Sequence, residues 1–528
     1  MKRLSSLLWL ILLVPMLSVA QRYQTEVFTN VTMTPNVKYG ENFSDLSGPY
    51  TLIDLLMDVY EPTGDTLSKR PVILLFHAGS FLPKGPFLPF GDKRDSLMIE
   101  MATQFAKRGF VVASVEYRVG WNPISGNQAA KAQSIINAVY RAMQDGRAAV
   151  RWFRKDAATT NQFKIDPYQV IAGGSNSGAY LALAIGNLNK PSEINLLKFR
   201  DPVSGKSFID TTVHGGFYGQ GGDGHFNKLN NPGYSSVVQC VLNLGGAVGD
   251  TSWMEAGEPP VISFHGVADR LTPFGTNIVY VSATGDPVVE VSGGADIARR
   301  QNNLGNNDIW INENFNDNIT QIAEGRTPAY EGLYWFAEGY GQNANANGFE
   351  PWGWYSNFEP KAINASNAAT NNVNVTLFPP PYTGFGSAAN PYASRAKAMV
   401  YLDTIMKYSV PRLLVALEPQ NIDSMAVQTA DPATAPTVGV DNIAAINSIL
   451  NVYPNPASTQ LNLSLAAATY GMEKIQIFDI TGRLVFTDSN MADPQYHNVS
   501  LMSLNSGTYI VTISFSTGEQ VSKRLLVH

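Results

Sequence analysis

The stretch Val170-Ile171-Ala172-Gly173-Gly174-Ser175-Asn176-Ser177-Gly178-Ala179-Tyr180-Leu181-Ala182-Leu183 decides the fold. It reads as a buried strand, a tight glycine-flanked turn and the start of a small-residue helix, which is the build of a nucleophile elbow. A reactive side chain stands at the apex of such a turn. Glycines lie two residues before and after it, because a Cβ there would clash with neighbouring backbone. Gly174 and Gly178 have that spacing and put Asn176 at the apex. Asparagine tolerates the positive φ of an apex better than most residues, but it cannot attack a carbonyl. The turn predicts the frame of a nucleophilic site without its nucleophile.

Working outward, apolar runs and amphipathic helices alternate. Leu52 to Tyr60 is the first convincing strand after an irregular polar segment from Gln21 to Tyr50, and Pro71 to Phe76 is a continuous apolar run of the kind buried on both faces. A helix around Ser96 to Arg108 closes at Gly109, and Phe110 to Tyr117 returns as a strand, making a parallel crossover. Gln128 to Ala157 is helical, with Val139, Ala142, Gly146, Ala149, Val150 and Phe153 on one face. Later strands are expected at Val237 to Leu244, Pro260 to Phe264 and Gly332 to Phe336, and a closing helix at about Ala393 to Lys407. The alternation argues for an α/β fold with a doubly wound, mostly parallel sheet. Two stretches rich in Gly, Asn and Asp, Asn187 to Tyr234 and Val279 to Tyr330, are expected to cap the C-terminal edge of the sheet, where ligands bind in such folds.

A chain of 528 residues is too long for one ordinary domain. The expected divisions are a signal peptide at 1–20, a first domain at 21–411, a linker at 412–450 and a small all-β sandwich at 451–528. Lys2 and Arg3, an apolar core from Leu7 to Leu17 and the small residues before Gln21 mark the cleavable leader. Its apolar run is shorter than the ~20 residues a spanning helix needs, so no transmembrane segment is expected in the mature chain. A formal charge of −6 gives no electrostatic footprint for nucleic acid or an anionic membrane. Cys240, the only cysteine, excludes an internal disulfide. No cofactor and no metal is expected.

The His77-Ala78-Gly79-Ser80-Phe81 loop, the Phe105 to Phe110 and Tyr117-Arg118 passage, the Asp145 to Trp152 helix, the elbow and His265-Gly266-Val267-Ala268-Asp269 together resemble the secreted carboxylesterase and feruloyl-esterase-like branch of the α/β-hydrolases. The resemblance covers about Leu52 to Lys407. It implies a triad in the order nucleophile, acid, histidine. Asp269 then matches the acid, and His77 the histidine of the oxyanion loop. The family's catalytic histidine belongs in a Glu-Gly-x-Gly-His context, which here reads Glu338-Gly339-Tyr340-Gly341-Gln342. Asn176 and Gln342 thus stand where nucleophile and base are expected. An oxyanion-hole-like nest remains, formed by the backbone of Ala78, Gly79 and Ser80 with the amide of Ser177. Ser175 and Ser177 flank the apex, but neither has an evident base, and deamidation of Asn176 would still leave none. Trp352, Trp354 and Tyr355 offer aromatic faces to a sugar or aryl ligand, or else pack an insertion onto the sheet.

The last eighty residues carry Val452-Tyr453-Pro454-Asn455-Pro456, then Asp479-Ile480-Thr481-Gly482-Arg483, then Leu504-Asn505-Ser506-Gly507-Thr508-Tyr509, with Lys523-Arg524 near the end. In that order they resemble the C-terminal sorting domain of type IX secretion substrates. The resemblance implies secretion-machinery partners and a secreted or cell-surface location outside the outer membrane. The expectation is an exported hydrolase-fold protein, catalytically impaired, with a binding or surface-structural role toward a small-molecule, carbohydrate or ester ligand. The alternatives are an active carboxylic-ester hydrolase with a relocated nucleophile, and an adhesin.

Overall fold

Strand β3 (Arg70–Phe76) has all seven residues buried and lies inside an eight-stranded sheet, which is why it reads as an unbroken apolar run. The computed structural model describes residues 22–44, 46, 51–84, 90–123, 126–224, 226–269, 271–281, 285–337, 350–354, 395–432, 449–466, 471–480, 483–515 and 520–528. The chain divides into two compact units: the first holds the described residues up to 432 apart from Lys190–Leu196, and the second holds Lys190–Leu196 and the described residues from 449 on.

In the first unit the sheet is built from β1 (Val31–Ser44), β2 (Thr51–Pro62), β3, β4 (Val111–Val115), β5 (Ile165–Ser175), β6 (Cys240–Leu244), β7 (Val261–Gly266) and β10 (Leu333–Phe336). Their order is β1-β2-β4-β3-β5-β6-β7-β10. The pairings from β4 through β10 are parallel, and β1 and β2 add an antiparallel edge. From β3 the chain crosses to β4 on one side and then to β5 on the other. The order therefore reverses between β3 and β5, and the loops leaving these two strands open a crevice at that switch point.

Helix α1 (Ser96–Arg108) carries β3 into β4 and stops at Gly109, whose φ of 112° caps it in the left-handed region. Helix α2 (Gln128–Ala158) is capped by the Asn127 side chain, which accepts from the Ala130 amide. It lies close to α3 (Ser177–Asn187): a Cβ on Gly146 would stand 2.6 Å from Ile185 Cδ1. Helix α4 (Gly294–Leu304) and α5 (Arg395–Ala416) follow, and among the described residues no helix is long and apolar enough to cross a membrane.

The structure departs from the sequence reading in three places. Residues 31–44, expected to be irregular, form a fourteen-residue strand paired with β2. Only its last third is buried, so its apolar signal is faint. The second polar insertion contains a hairpin, β8 (Thr276–Tyr280) with β9 (Pro287–Ser292), whose first strand is mostly exposed. Finally, α5 runs through Pro411 to Ala416, past the expected domain edge. Arg412, Leu413, Val415, Ala416 and Leu417 are buried, and the Arg412 carbonyl accepts from Trp310 Nε1 at 2.9 Å. Further on, Asp431 pairs with the buried guanidinium of Arg151 at 2.7 Å. Residues 412–432, expected to begin a linker, are thus part of the first unit's packing. Their anchors are single side chains rather than a periodic stripe.

The second unit is all-β, with sheets β11-β12-β15 and β14-β13-β16-β17 over a core that includes Leu461, Leu463, Ile475, Ile477, Val511 and Ile513. Its elements are β11 (Leu450–Tyr453), β12 (Gln460–Leu465), β13 (Met472–Asp479), β14 (Leu484–Asp488), β15 (Tyr496–Ser500), β16 (Gly507–Phe515) and β17 (Gln520–Val527). The three sequence motifs are closures of this sandwich. Asn455 donates to the Arg524 carbonyl and accepts from the Leu526 amide, tying the first motif to the last strand. Asp479 accepts from the amide and guanidinium of Arg483 across its turn. Tyr509 OH reaches back to the Asn505 carbonyl at 2.8 Å.

Candidate active site

At the end of β5, Asn176 has φ 48° and ψ −116°, the strained conformation that an elbow apex needs. The flanking glycines are required on both sides. A Cβ on Gly174 would lie 2.3 Å from the Gly178 carbonyl carbon, and one on Gly178 would lie 2.0 Å from the Phe76 carbonyl oxygen. The turn is therefore wedged against the end of β3. The Asn176 amide donates to the Leu244 carbonyl, and its own carbonyl starts α3 by accepting from Ala179 and Tyr180. Its side-chain Nδ2 points to Thr272 Oγ1, a long contact at 3.5 Å.

Asp269 is brought to the same end of the sheet by the turn after β7, three residues beyond its last residue. Its Oδ1 accepts from the amides of Leu271 and Thr272. Burial outweighs these bonds and pushes its carboxyl up to about 7. Gln342 and Tyr355 lie outside the described residues, as does His225.

Two described imidazoles lie near the crevice, His265 and His77, and both are fully buried. His265 donates from Nε2 to the Thr272 carbonyl at 3.0 Å and accepts at Nδ1 from the Gly294 amide at 3.2 Å. Burial lowers it to about 4, so it stays neutral with both nitrogens engaged. His77 donates from Nδ1 to the Ala78 carbonyl, stacks on Tyr117 and faces Glu116 from Nε2 at 3.4 Å. Burial opposes its charge, but Glu116, Asp95 and the Ala78 carbonyl together outweigh it and raise the imidazole. It is a strut for the loop after β3.

That loop is held in the left-handed region at Gly79, Ser80 and Phe81. The Ser80 amide donates to Ser177 Oγ at 3.0 Å, and the Ser80 carbonyl accepts from Trp121 Nε1. The nest expected from Ala78 to Ser80 thus has one of its donors committed to the elbow itself.

The group that sequence reasoning missed is Glu350. Ser175 Oγ donates to its Oε1 at 2.5 Å and accepts from Trp352 Nε1 at 2.9 Å. Burial pushes the Glu350 carboxyl up to about 8, with Asp269 and Asp95 adding to the rise. The expectation that Ser175 has no base beside it is corrected here. Glu350 lies 175 residues along the chain, in the passage after β10, and nothing in its local sequence marks it. Trp352 is 1% exposed and Trp354 8%; Trp352 packs on Phe336 with ring centroids 5.8 Å apart. Of the two readings of these aromatics, packing holds for Trp352, which has no free face to offer a ligand.

A mostly parallel sheet with an antiparallel edge, helices covering it, and a strand–elbow–helix turn at the switch point define an α/β-hydrolase fold. Residues 57–217 match the BD-FAE family and residues 451–528 match the secretion system C-terminal sorting domain. The chain carries an esterase-like domain followed by a type IX sorting domain, which marks it for the secretion machinery, for export and for attachment to the cell surface. Among solved structures it is similar to esterase 2 of Thermogutta terrifontis. The form phosphorylated by paraoxon is 20% identical over 47% of this chain and 74% of that one, with a TM-score of 0.27. The butyrate-bound form is 18% identical over 45% and 74%, with a TM-score of 0.28. No curated protein matches this chain by sequence.

Proposed function

We propose that this exported, surface-attached protein uses its hydrolase scaffold to bind a small-molecule, carbohydrate or ester ligand, and does not turn over acyl esters by the fold's usual route. The observation that carries this reading is the amide of Asn176 in the strained apex conformation, the one place from which the elbow aims a side chain into the crevice. An amide has no ionisable hydroxyl to present. His265 has both nitrogens engaged, His77 is buried between Tyr117 and Glu116, and Gln342 is expected at the family's histidine position.

The second reading, a working esterase with a relocated nucleophile, is favoured by the short Ser175 to Glu350 hydrogen bond. It ranks second because Ser175 is fully buried and its hydroxyl is held by Trp352 as well. A fluorophosphonate probe and an aryl acetate assay on the full chain separate the two. Background hydrolysis and no labelling are expected. Turnover with a label on Ser175, lost in Glu350→Gln, would replace the binding reading by the esterase one.

A further inference from the structure

The apex of the elbow holds Asn176 at φ 48° and ψ −116°. Cβ and the residue's own nitrogen stand one third of a turn apart around the Cα–C bond, so at this ψ the Ser177 backbone nitrogen eclipses the Asn176 Cβ. Helix and strand torsions keep these two atoms apart. The elbow sets them on the same side, which is the relation they have in a cyclic imide. The torsion is also pinned: the Asn176 backbone amide donates to the Leu244 carbonyl, its carbonyl accepts from the Ala179 and Tyr180 amides, and Gly178 is wedged against the Phe76 carbonyl. Surroundings that over-determine a strained backbone in this way hold it there.

Both groups that would join are loosely held. Among the described residues no acceptor takes the Ser177 backbone N–H, because in the first turn of α3 it has no partner within the helix. The Asn176 side chain reaches Thr272 Oγ1 through Nδ2 at 3.5 Å, a contact too long to stop it turning toward that nitrogen.

We propose that Asn176 is a self-modification site: the Ser177 backbone nitrogen closes onto Asn176 Cγ, ammonia leaves, and the succinimide opens in water to put a carboxylate at the elbow apex. The Ser177 N–H gives its proton to hydroxide as the N–Cγ bond forms. The Cγ–Nδ2 bond then breaks, and Nδ2 leaves as ammonia with a proton taken from water. Water next adds to an imide carbonyl and breaks its bond to nitrogen. Attack at Cγ restores the main chain and leaves aspartate; attack at the main-chain carbonyl leaves isoaspartate, whose path is longer by the Cβ. The wedged turn disfavours that longer path, since a Cβ on Gly178 would already lie 2.0 Å from the Phe76 carbonyl oxygen. The product only accepts hydrogen bonds where the amide both donates and accepts, so the crevice gains an anion and turns toward ligands that donate. The conversion goes beyond the binding reading and is tested apart from it: the mass of residue 176 reads one, and fluorophosphonate labelling reads the other.

The full chain is incubated in mildly alkaline buffer, folded or in guanidinium chloride, and residue 176 is followed by peptide mass mapping. Asn505, which also precedes a serine, is the internal reference. Asn176 should convert about tenfold faster in the folded chain than in the unfolded one, because the eclipsed torsion is held and not merely sampled. Asn505 should show no such gain. Hydroxylamine added to the folded chain opens the imide and should leave a hydroxamate at 176, and without it aspartate should exceed isoaspartate there. Conversion of Asn176 no faster folded than unfolded would overturn the proposal, as would an equal gain at Asn505, aspartate formed with no hydroxamate capture, or isoaspartate as the main folded product.

Discussion

Asp431 offers the sharpest test of where the first unit ends. Its Oδ2 lies 2.7 Å from Arg151 Nη1, and its Oδ1 accepts from the Ser236 amide at 2.9 Å. The Arg151 side chain is 1% exposed, and its other bonds go to neutral carbonyls, Nε to Asn230 and Nη2 to Tyr218, each at 3.0 Å. Burial already lowers the guanidinium's hold on its proton, and Asp431 is the partner that counters this. Replacing Asp431 by alanine strands that cation, and breaking a buried pair from one side costs about 3–5 kcal/mol. The Ser236 amide also loses its acceptor, adding about 1 kcal/mol where water cannot replace it. Urea unfolding followed by tryptophan fluorescence should show the loss. With a slope of about 3 kcal/mol/M, the midpoint of the first unit should fall by roughly 1–2 M. The double change Arg151→Met with Asp431→Leu should recover part of it, because no unpaired charge then remains. A midpoint for Asp431→Ala within about 0.2 M of the parent would refute the reasoning and return residues 412–432 to the role of a linker.

A chain ending at 434 should fold as the parent's first unit does, whereas one ending at Pro411 should be insoluble or loosely packed. The shorter chain removes Leu413 and Leu417, each worth about 1.5–3 kcal/mol when buried, and leaves Glu331 without Arg412 at 2.7 Å. Gly178→Ala should cost about 3 kcal/mol or more, read as lost soluble yield and a lower unfolding temperature, because the new methyl meets backbone at 2.0 Å. Deleting residues after Val452 should leave the protein inside the outer membrane, and surface detection of the truncated chain on intact cells would contradict the sorting role. Asn176→Ser or Gln342→His alone should stay at background on an aryl acetate. The pair together should gain fluorophosphonate labelling at residue 176, since nucleophile and base act as a unit; equal labelling of the Asn176→Ser single variant would show that a base is already in place.

The elbow was legible in the sequence because its glycines and apex sit at fixed short spacing along the chain. Gly174 is forced by a clash with the backbone of Gly178 four residues on, Gly109 by its own left-handed φ, and the turn from Asp479 to Arg483 is closed by its own end residues, whereas the clash at Gly178 comes from Phe76 on β3. The apolar run 71–76 of β3 was legible because burial on both faces leaves only its first residue, Arg70, polar. By itself, then, the sequence determined the hydrolase frame, the amide at its apex and the sorting domain behind it. Tertiary structure alone decided what stands beside the apex. Glu350 meets Ser175 across 175 residues, and Asp431 meets Arg151 across 280. A lone carboxylate looks the same in sequence whether it ends in water or in the core. Only the folded chain brings each of these acids to its buried partner, and burial then raises one to near-neutral titration and makes the other the counter-charge of a guanidinium.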